Sequence, residues 1–164
     1  MSVVFRPDWR ARFVSDITPQ WLRAHGLCTL LLDADCTLKR YRQMEPEPGV
    51  SGWIGQLRQQ GVQMCIVSNG LGPRLQAFAD HLTLPVIFRA MKPHPRGIRR
   101  AMETLGATPE RTAMVGDQIF ADIAAGRRAG EGQPHHSGAG RPGRRGSRAL
   151  PPARGAGAPS GRAV

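Results

Sequence analysis

Three short apolar runs, each stopped by a polar residue, limit what this chain can fold into. Residues 27–32 (LCTLLL) run into Asp33, residues 62–67 (VQMCIV) into Ser68, and residues 112–115 (TAMV) into Gly116-Asp117. Runs this short, with little polar alternation, suit strands covered on both faces, as in a parallel sheet. A fourth run, residues 85–88, predicts another short strand. Helical periods lie between them. Thr18-Pro19 reads as an N-cap with Pro in the first turn, for a helix ending near Gly26. Val50, Trp53, Ile54 and Leu57 follow the i, i+3, i+4, i+7 rule, and Gly61 stops them. Leu71, Leu75, Phe78, Ala79 and Leu82 mark the next helix. Pro95 opens another, with Ile98, Ala101, Met102 and Leu105 on one face. Ile119 to Ala125 predicts a last one, closed by Gly126. Alternating strands and helices predict an α/β domain: an open parallel sheet flanked by helices. Ligands of such sheets gather at the carboxyl ends of the strands. Those ends carry Asp33, Ser68 and Asp117.

The chain of 164 residues is enough for one domain. Its character changes near Gly130. Residues 1–130 carry 17 Lys/Arg and 11 Asp/Glu, a net +6. Residues 131–164 carry six Arg and one Glu, a net +5, among eight Gly and five Pro. The second segment has only Leu150 and Val164 as larger aliphatics, too little apolar surface to offset its ordering entropy, so disorder is expected there. Its arginines lack interleaved aromatics, so no specific nucleic-acid partner is predicted. Cys28, Cys36 and Cys65 form no CxxC pair, so neither a zinc site nor a disulfide framework is suggested, and reduced cytoplasmic thiols are the simple reading. No signal peptide or membrane span is legible.

The chemistry begins at Asp33-Ala34-Asp35. Two carboxylates two residues apart at a strand end can lean toward one side. One can attack phosphorus and the other can protonate the leaving oxygen and then activate water. An anionic nucleophile and an anionic phosphate repel, so a divalent cation is required. An oxygen-only site that keeps waters suits Mg²⁺. Ser68 and the N–H groups beside it, at a helix start, can hold a phosphoryl oxygen. Lys92 can neutralise the transferred group. Asp117 supplies a further carboxylate, and Asp122 could orient Lys92 or a metal-bound water. Each fragment also has an ordinary reading: a turn for the D-x-D or Ser-Asn-Gly, a solvated lysine, a helix cap for Asp122.

In order, D-x-D-x-T, strand-Ser, Lys and G-D-x-x-x-x-D resemble the four motifs of HAD phosphatases. SNG, A-x-KP and MVGDQIFADI are more closely similar to the YqeG family of HAD subclass IIIA, over roughly residues 5–130. The resemblance implies a Rossmann-like HAD fold with Asp33 as nucleophile and Asp35 as general acid/base. It implies Ser68, with its neighbour Asn69, and Lys92 as phosphate binders. It implies Mg²⁺ held by the Asp33 side chain, the Asp35 carbonyl and Asp117, with Asp122 in support. Dehalogenases do not need an acid at position 35, so Asp35 favours phosphate ester hydrolysis. Cys36 departs from the Asn or Gly common in the family.

No cap domain fits between Asp35 and Ser68 or between Ser68 and Lys92, so the site should be open to large substrates. Lys39-Arg40-Tyr41-Arg42 could touch a polyanionic substrate or a membrane surface there; a solvated loop is the plain alternative. Similarity of the YqeG family to phosphatidylglycerophosphate phosphatases makes that lipid the leading substrate, with at most peripheral membrane contact. The competing class is a non-catalytic HAD-like protein that binds RNA or acidic lipid.

The relatives continue past Gly130 with a strand of the type T-I-L-V. Here the chain reads Pro134-His135-His136-Ser137-Gly138-Ala139. One back-translation, CCC CAC CAT TCT GGT GCG, yields Pro-Thr-Ile-Leu-Val when read one base later. We therefore expect residues from about Gly130 onward to be out-of-frame translation, the alternative being a genuine basic tail. The C-terminal edge strand would then be missing, and the strand carrying Asp117 would lie at an exposed edge.

Overall fold

The structure is a computed structural model that describes residues 9–118, 121–122, 124–130 and 148–149. Its centre is a four-stranded, fully parallel sheet in the order β4-β3-β2-β5. The strands are β2 (Thr29–Leu32), β3 (Gln63–Val67), β4 (Val86–Ile87) and β5 (Thr112–Val115). Helices α1 (Pro19–Ala24), α2 (Val50–Gln59), α3 (Pro73–His81), α4 (Arg96–Leu105) and α5 (Ala124–Gly130) surround it. A separate two-residue strand, β1 (Trp9–Arg10), pairs in parallel with β6 (Arg148–Ala149). The rest of the segment 131–164, with the frame reading attached to it, lies outside the described residues.

Strand alternation divides the core into two layers. Leu30, Leu32, Met64 and Ile66 point to one face and meet Trp53, Ile54, Leu57 and Phe78. Leu31, Cys65 and Val67 point to the other and meet Ile98, Ala101, Met102, Ala125 and Ala129. All four residues of β2 are fully buried. Each aliphatic side chain so covered contributes about 1.5–3 kcal/mol of transfer free energy. Every residue of β5 is only partly buried, and among the described residues β5 is an edge of this sheet.

Local signals explain most boundaries. Thr18 accepts the Trp21 N–H at 3.1 Å, with Pro19 in the first turn, as the Thr-Pro pair predicts. The last helix differs from the expected residues 119–125. It continues through Gly126, so that glycine is no terminator. A Cβ at Gly126 would approach the Met114 Cβ to 3.2 Å. Close packing of α5 on β5 favours glycine there.

The segment between Asp35 and Ser68 holds only α2 and β3, and the segment between Ser68 and Lys92 only α3 and β4. No helix among the described residues is long and apolar enough to cross a membrane.

Candidate active site

The register brings the polar residues together. Leu32 pairs with Ile66 on one side and Val115 on the other, so the three strands end at one level. The Asp33 N–H still donates to the Val115 carbonyl at 2.9 Å, which fixes the carboxylate at the mouth between β3 and β5.

Lys92 organises the centre. Its Nζ donates to Asp33 Oδ1 at 2.7 Å and to Asp122 Oδ1 at 2.6 Å, and all three side chains are almost completely buried. Asp122 therefore does two jobs that looked like alternatives in the sequence. Its Oδ1 holds Lys92, and its Oδ2 accepts the Gln118 N–H at 3.1 Å. Gly116 makes room for this: a Cβ there would lie 2.1 Å from Asp122 Oδ2.

Ser68 is buried beside this group, and its Oγ accepts the Gly70 N–H at 3.1 Å. A hydroxyl that accepts this bond keeps its own proton to donate. The side chain of Asn69 turns to the Lys92 backbone. Its Oδ1 accepts the Lys92 N–H at 2.7 Å and its Nδ2 donates to the Lys92 carbonyl at 2.9 Å. These two bonds tie the loop after β3 to the Lys92 backbone.

Asp33, Asp117 and Asp122 each offer a carboxylate oxygen, and these oxygens lie within 4.8 Å of one another. The Asp117 Oδ1 is buried without a hydrogen-bond partner. Both oxygens of Asp122 are engaged, so Asp33 and Asp117 are the better metal ligands of the three. Burial pushes the Asp33 carboxyl above its usual range, only partly offset by Lys92. Burial, and then the charge of Asp33, raises Asp117. Burial also raises Asp122 against the pull of Lys92. Two buried carboxylates share one ammonium and a third, Asp117, adjoins them, an excess of negative charge that a bound divalent cation would relieve. The residues fit a hard, oxygen-liganded ion such as Mg²⁺.

Asp35 stands apart from that cluster. Its carboxylate forms an ion pair with Lys39, four residues on, and the two are also bridged through their backbones. It remains close enough for its charge to raise Asp117. The expectation for Lys39 is corrected here. Lys39 is 7% exposed, folded back by N–H bonds to Ala34 O from Leu38 (3.0 Å) and from Lys39 itself (3.2 Å), and its ammonium sits 5.7 Å from the Phe78 ring centroid. Arg40 is taken up by Glu47 at 2.8 Å. Only Tyr41 and Arg42 of that run face outward unpaired with a carboxylate, Arg42 lying 5.3 Å over the Tyr41 ring. Nothing in the sequence marked Lys39 as buried, because a lysine in a basic run reads as solvated.

Backbone strain concentrates around the mouth. Cys36 (φ 59°), Arg42 (φ 63°), Arg89 (φ 46°) and Met91 (φ 58°) all take left-handed conformations without being glycine. For Cys36 this explains why Asn or Gly is at ease in that position.

Residues 3–130 match the family model of haloacid dehalogenase-like hydrolases. The chain is 29% identical to "Probable phosphatase YqeG" of Bacillus subtilis over 126 residues, 77% of this chain and 73% of that protein. It is 30% identical to the phosphoserine phosphatase of Thermus thermophilus over 107 residues, 59% of this chain and 43% of the relative. A solved HAD subfamily III A hydrolase from Legionella pneumophila superposes with a TM-score of 0.47 at 18% identity, over 58% of each chain. The chain thus spans most of the Bacillus relative and under half of the Thermus one.

Proposed function

Because the chain belongs to the haloacid dehalogenase-like hydrolase family and is a phosphatase-type enzyme of it, we propose that it hydrolyses phosphomonoesters through an aspartyl-phosphate on Asp33, with Mg²⁺, and that phosphatidylglycerophosphate is a substrate. The observation that carries the reading is Lys92 bound to Asp33 and Asp122 beside the unpartnered oxygen of Asp117.

The Asp33 carboxylate attacks phosphorus; an Asp33 O–P bond forms as the ester P–O bond breaks. Asp35, once it has parted from Lys39 and taken up a proton, gives that proton to the departing alkoxide. It then accepts a proton from the water that attacks the phosphoenzyme; as the new O–P bond forms, the Asp33 O–P bond breaks, inorganic phosphate leaves and the Asp33 carboxylate is restored. Lys92 keeps the Asp33 carboxylate aimed and balances charge on the phosphoryl oxygens, with the Ser68 hydroxyl as a further donor. Asp33 and Asp117, with the Asp35 carbonyl, would hold Mg²⁺, which supplies charge neutralisation for nucleophile and phosphate. The absence of any inserted domain between the catalytic segments supports a bulky substrate such as a lipid headgroup.

Turnover of an aryl phosphate and of phosphatidylglycerophosphate with Mg²⁺ tests this, beside Asp33→Asn. The reading expects turnover in the parent and a loss of at least about a thousandfold in the variant. Equal rates would sink it. Activity on the aryl ester without activity on the lipid would remove only the substrate assignment. No turnover, with retained binding of acidic lipid or RNA, would favour a non-catalytic binding protein.

A further inference from the structure

Four large apolar side chains are exposed among the described residues: Phe13, Tyr41, Leu71 and Met91. Three of them lie on the loops that carry Asp33, Ser68 and Lys92. Tyr41 is 65% exposed, Leu71 60% and Met91 59%. Scattered apolar residues on a surface need no explanation, whereas apolar tips on each of the loops that carry the site residues do.

Two of these loops form one unit. Arg89 N–H donates to Gly70 O at 3.1 Å, Ala90 N–H to Ser68 O at 3.0 Å, and the Asn69 amide clasps the Lys92 backbone. Within residues 89–92 the side chains alternate outward and inward: Arg89 and Met91 are exposed, Ala90 and Lys92 buried. Both outward residues hold the left-handed backbone, which β-carbon sterics disfavour. The chain thus presents Arg89 and Met91 outward while Lys92 turns in to Asp33.

Each apolar tip has an arginine within three residues of it in sequence. Arg42, Arg74 and Arg89 are exposed, and among the described residues none of them is in an ion pair. The loop's Glu47 is answered by Arg40, which leaves Glu45 as the acid of that loop outside an ion pair. Aromatic and aliphatic tips among arginines match a bilayer interface, where apolar groups enter below the headgroups and guanidinium groups meet phosphates.

We propose that the mouth of the active site is a docking face for an anionic bilayer, with Tyr41, Leu71 and Met91 inserting and Arg42, Arg74 and Arg89 contacting lipid phosphates. This deepens, and rests on, the reading of the site as one that acts on a lipid-borne phosphomonoester. Shallow seating of this kind brings the site to the level of the headgroups without any membrane-spanning element.

The test is co-sedimentation of the full chain with vesicles of phosphatidylcholine alone or mixed with phosphatidylglycerol. The doubly substituted Leu71→Ser/Met91→Ser protein, Arg74→Glu and the Phe13→Ser control are compared, with thermal melts to verify folding. The docking face predicts binding only to the mixed vesicles, a drop of about tenfold in the double variant and in Arg74→Glu, and no drop in Phe13→Ser. Absence of binding by the parent protein overturns the proposal. So does binding that the rim substitutions leave intact, which would place the contact in the arginine-rich segment after Gly130 or on another surface. Turnover of a soluble aryl phosphate is measured in parallel. Its absence with retained docking would count against the phosphatase reading and leave the docking face standing.

Discussion

Two lysines lie buried at the carboxyl end of this sheet, and they are held in different ways. Lys92 is 59 residues from Asp33 and 30 from Asp122, and it joins partners delivered by separate strands and loops. Lys39 pairs with Asp35 four residues away, inside one tight loop. The first cluster exists only when the whole fold is assembled. The second pairs residues within one loop, with the Phe78 ring of α3 covering its ammonium. The difference teaches where folding and catalysis are coupled: residues 33, 68, 92, 116 and 122 meet only if the sheet register is right, whereas the Asp35–Lys39 pair tolerates small shifts of its neighbours.

Removing each ammonium is the sharpest way to break this comparison. Lys92→Met strands two buried carboxylates without a counter-charge. It should cost about 3–5 kcal/mol of stability, read by denaturant unfolding, and abolish turnover. Lys39→Met keeps an apolar stem against Phe78 and frees a carboxylate that is partly exposed. Its expected cost is about 1 kcal/mol or less. Its effect on turnover should be larger for alkyl esters, which need a proton donor to their leaving oxygen, than for activated aryl esters. Similar destabilisation in the two variants would erase the distinction.

Cys65 gives the smallest expected effect and a useful contrast, as a titratable group buried on β3 with no cation beside it. Burial pushes its thiol up from 9.0 to about 11. The folded state therefore binds the proton more tightly than the unfolded state. The thiol's contribution is fully present below pH 9.0 and is lost as pH rises toward about 11. Denaturant unfolding across that range should show a decline on the order of 2 kcal/mol that Cys65→Ala does not share. At neutral pH the exposed Cys36 should react with a thiol reagent long before Cys65 does.

The long-range cluster was the more legible of the two in the sequence, although its parts are far apart. Apolar runs such as LCTLLL and VQMCIV fix strands that are dry on both faces, and the residue that ends each run must sit at the sheet's carboxyl edge. Asp33, Ser68 and Asp117 were placed by that logic alone. The order of the motifs then added Lys92, while Asp122 stayed open between holding Lys92, orienting a metal-bound water and capping a helix. The local cluster was hidden because its signal is tertiary. Lys39 is buried through the fold of its own loop and the Phe78 ring from α3, and neither leaves a periodicity. The clasp of the Asn69 amide on the Lys92 backbone was likewise hidden, since it joins residues 23 apart. Gly126 misled for a related reason, since a glycine favoured by close packing on Met114 looks like one that ends a helix.

The account stands on Asp33 as the atom donor to phosphorus, and trapping the covalent intermediate tests that most directly. The protein is mixed with a phosphomonoester carrying labelled phosphate in the presence of Mg²⁺, quenched in acid, digested and mapped. The predicted result is one acid-stable, hydroxylamine-labile acyl phosphate on Asp33, absent from Asp33→Asn. A label on any other residue, or sustained turnover by Asp33→Asn, would contradict it.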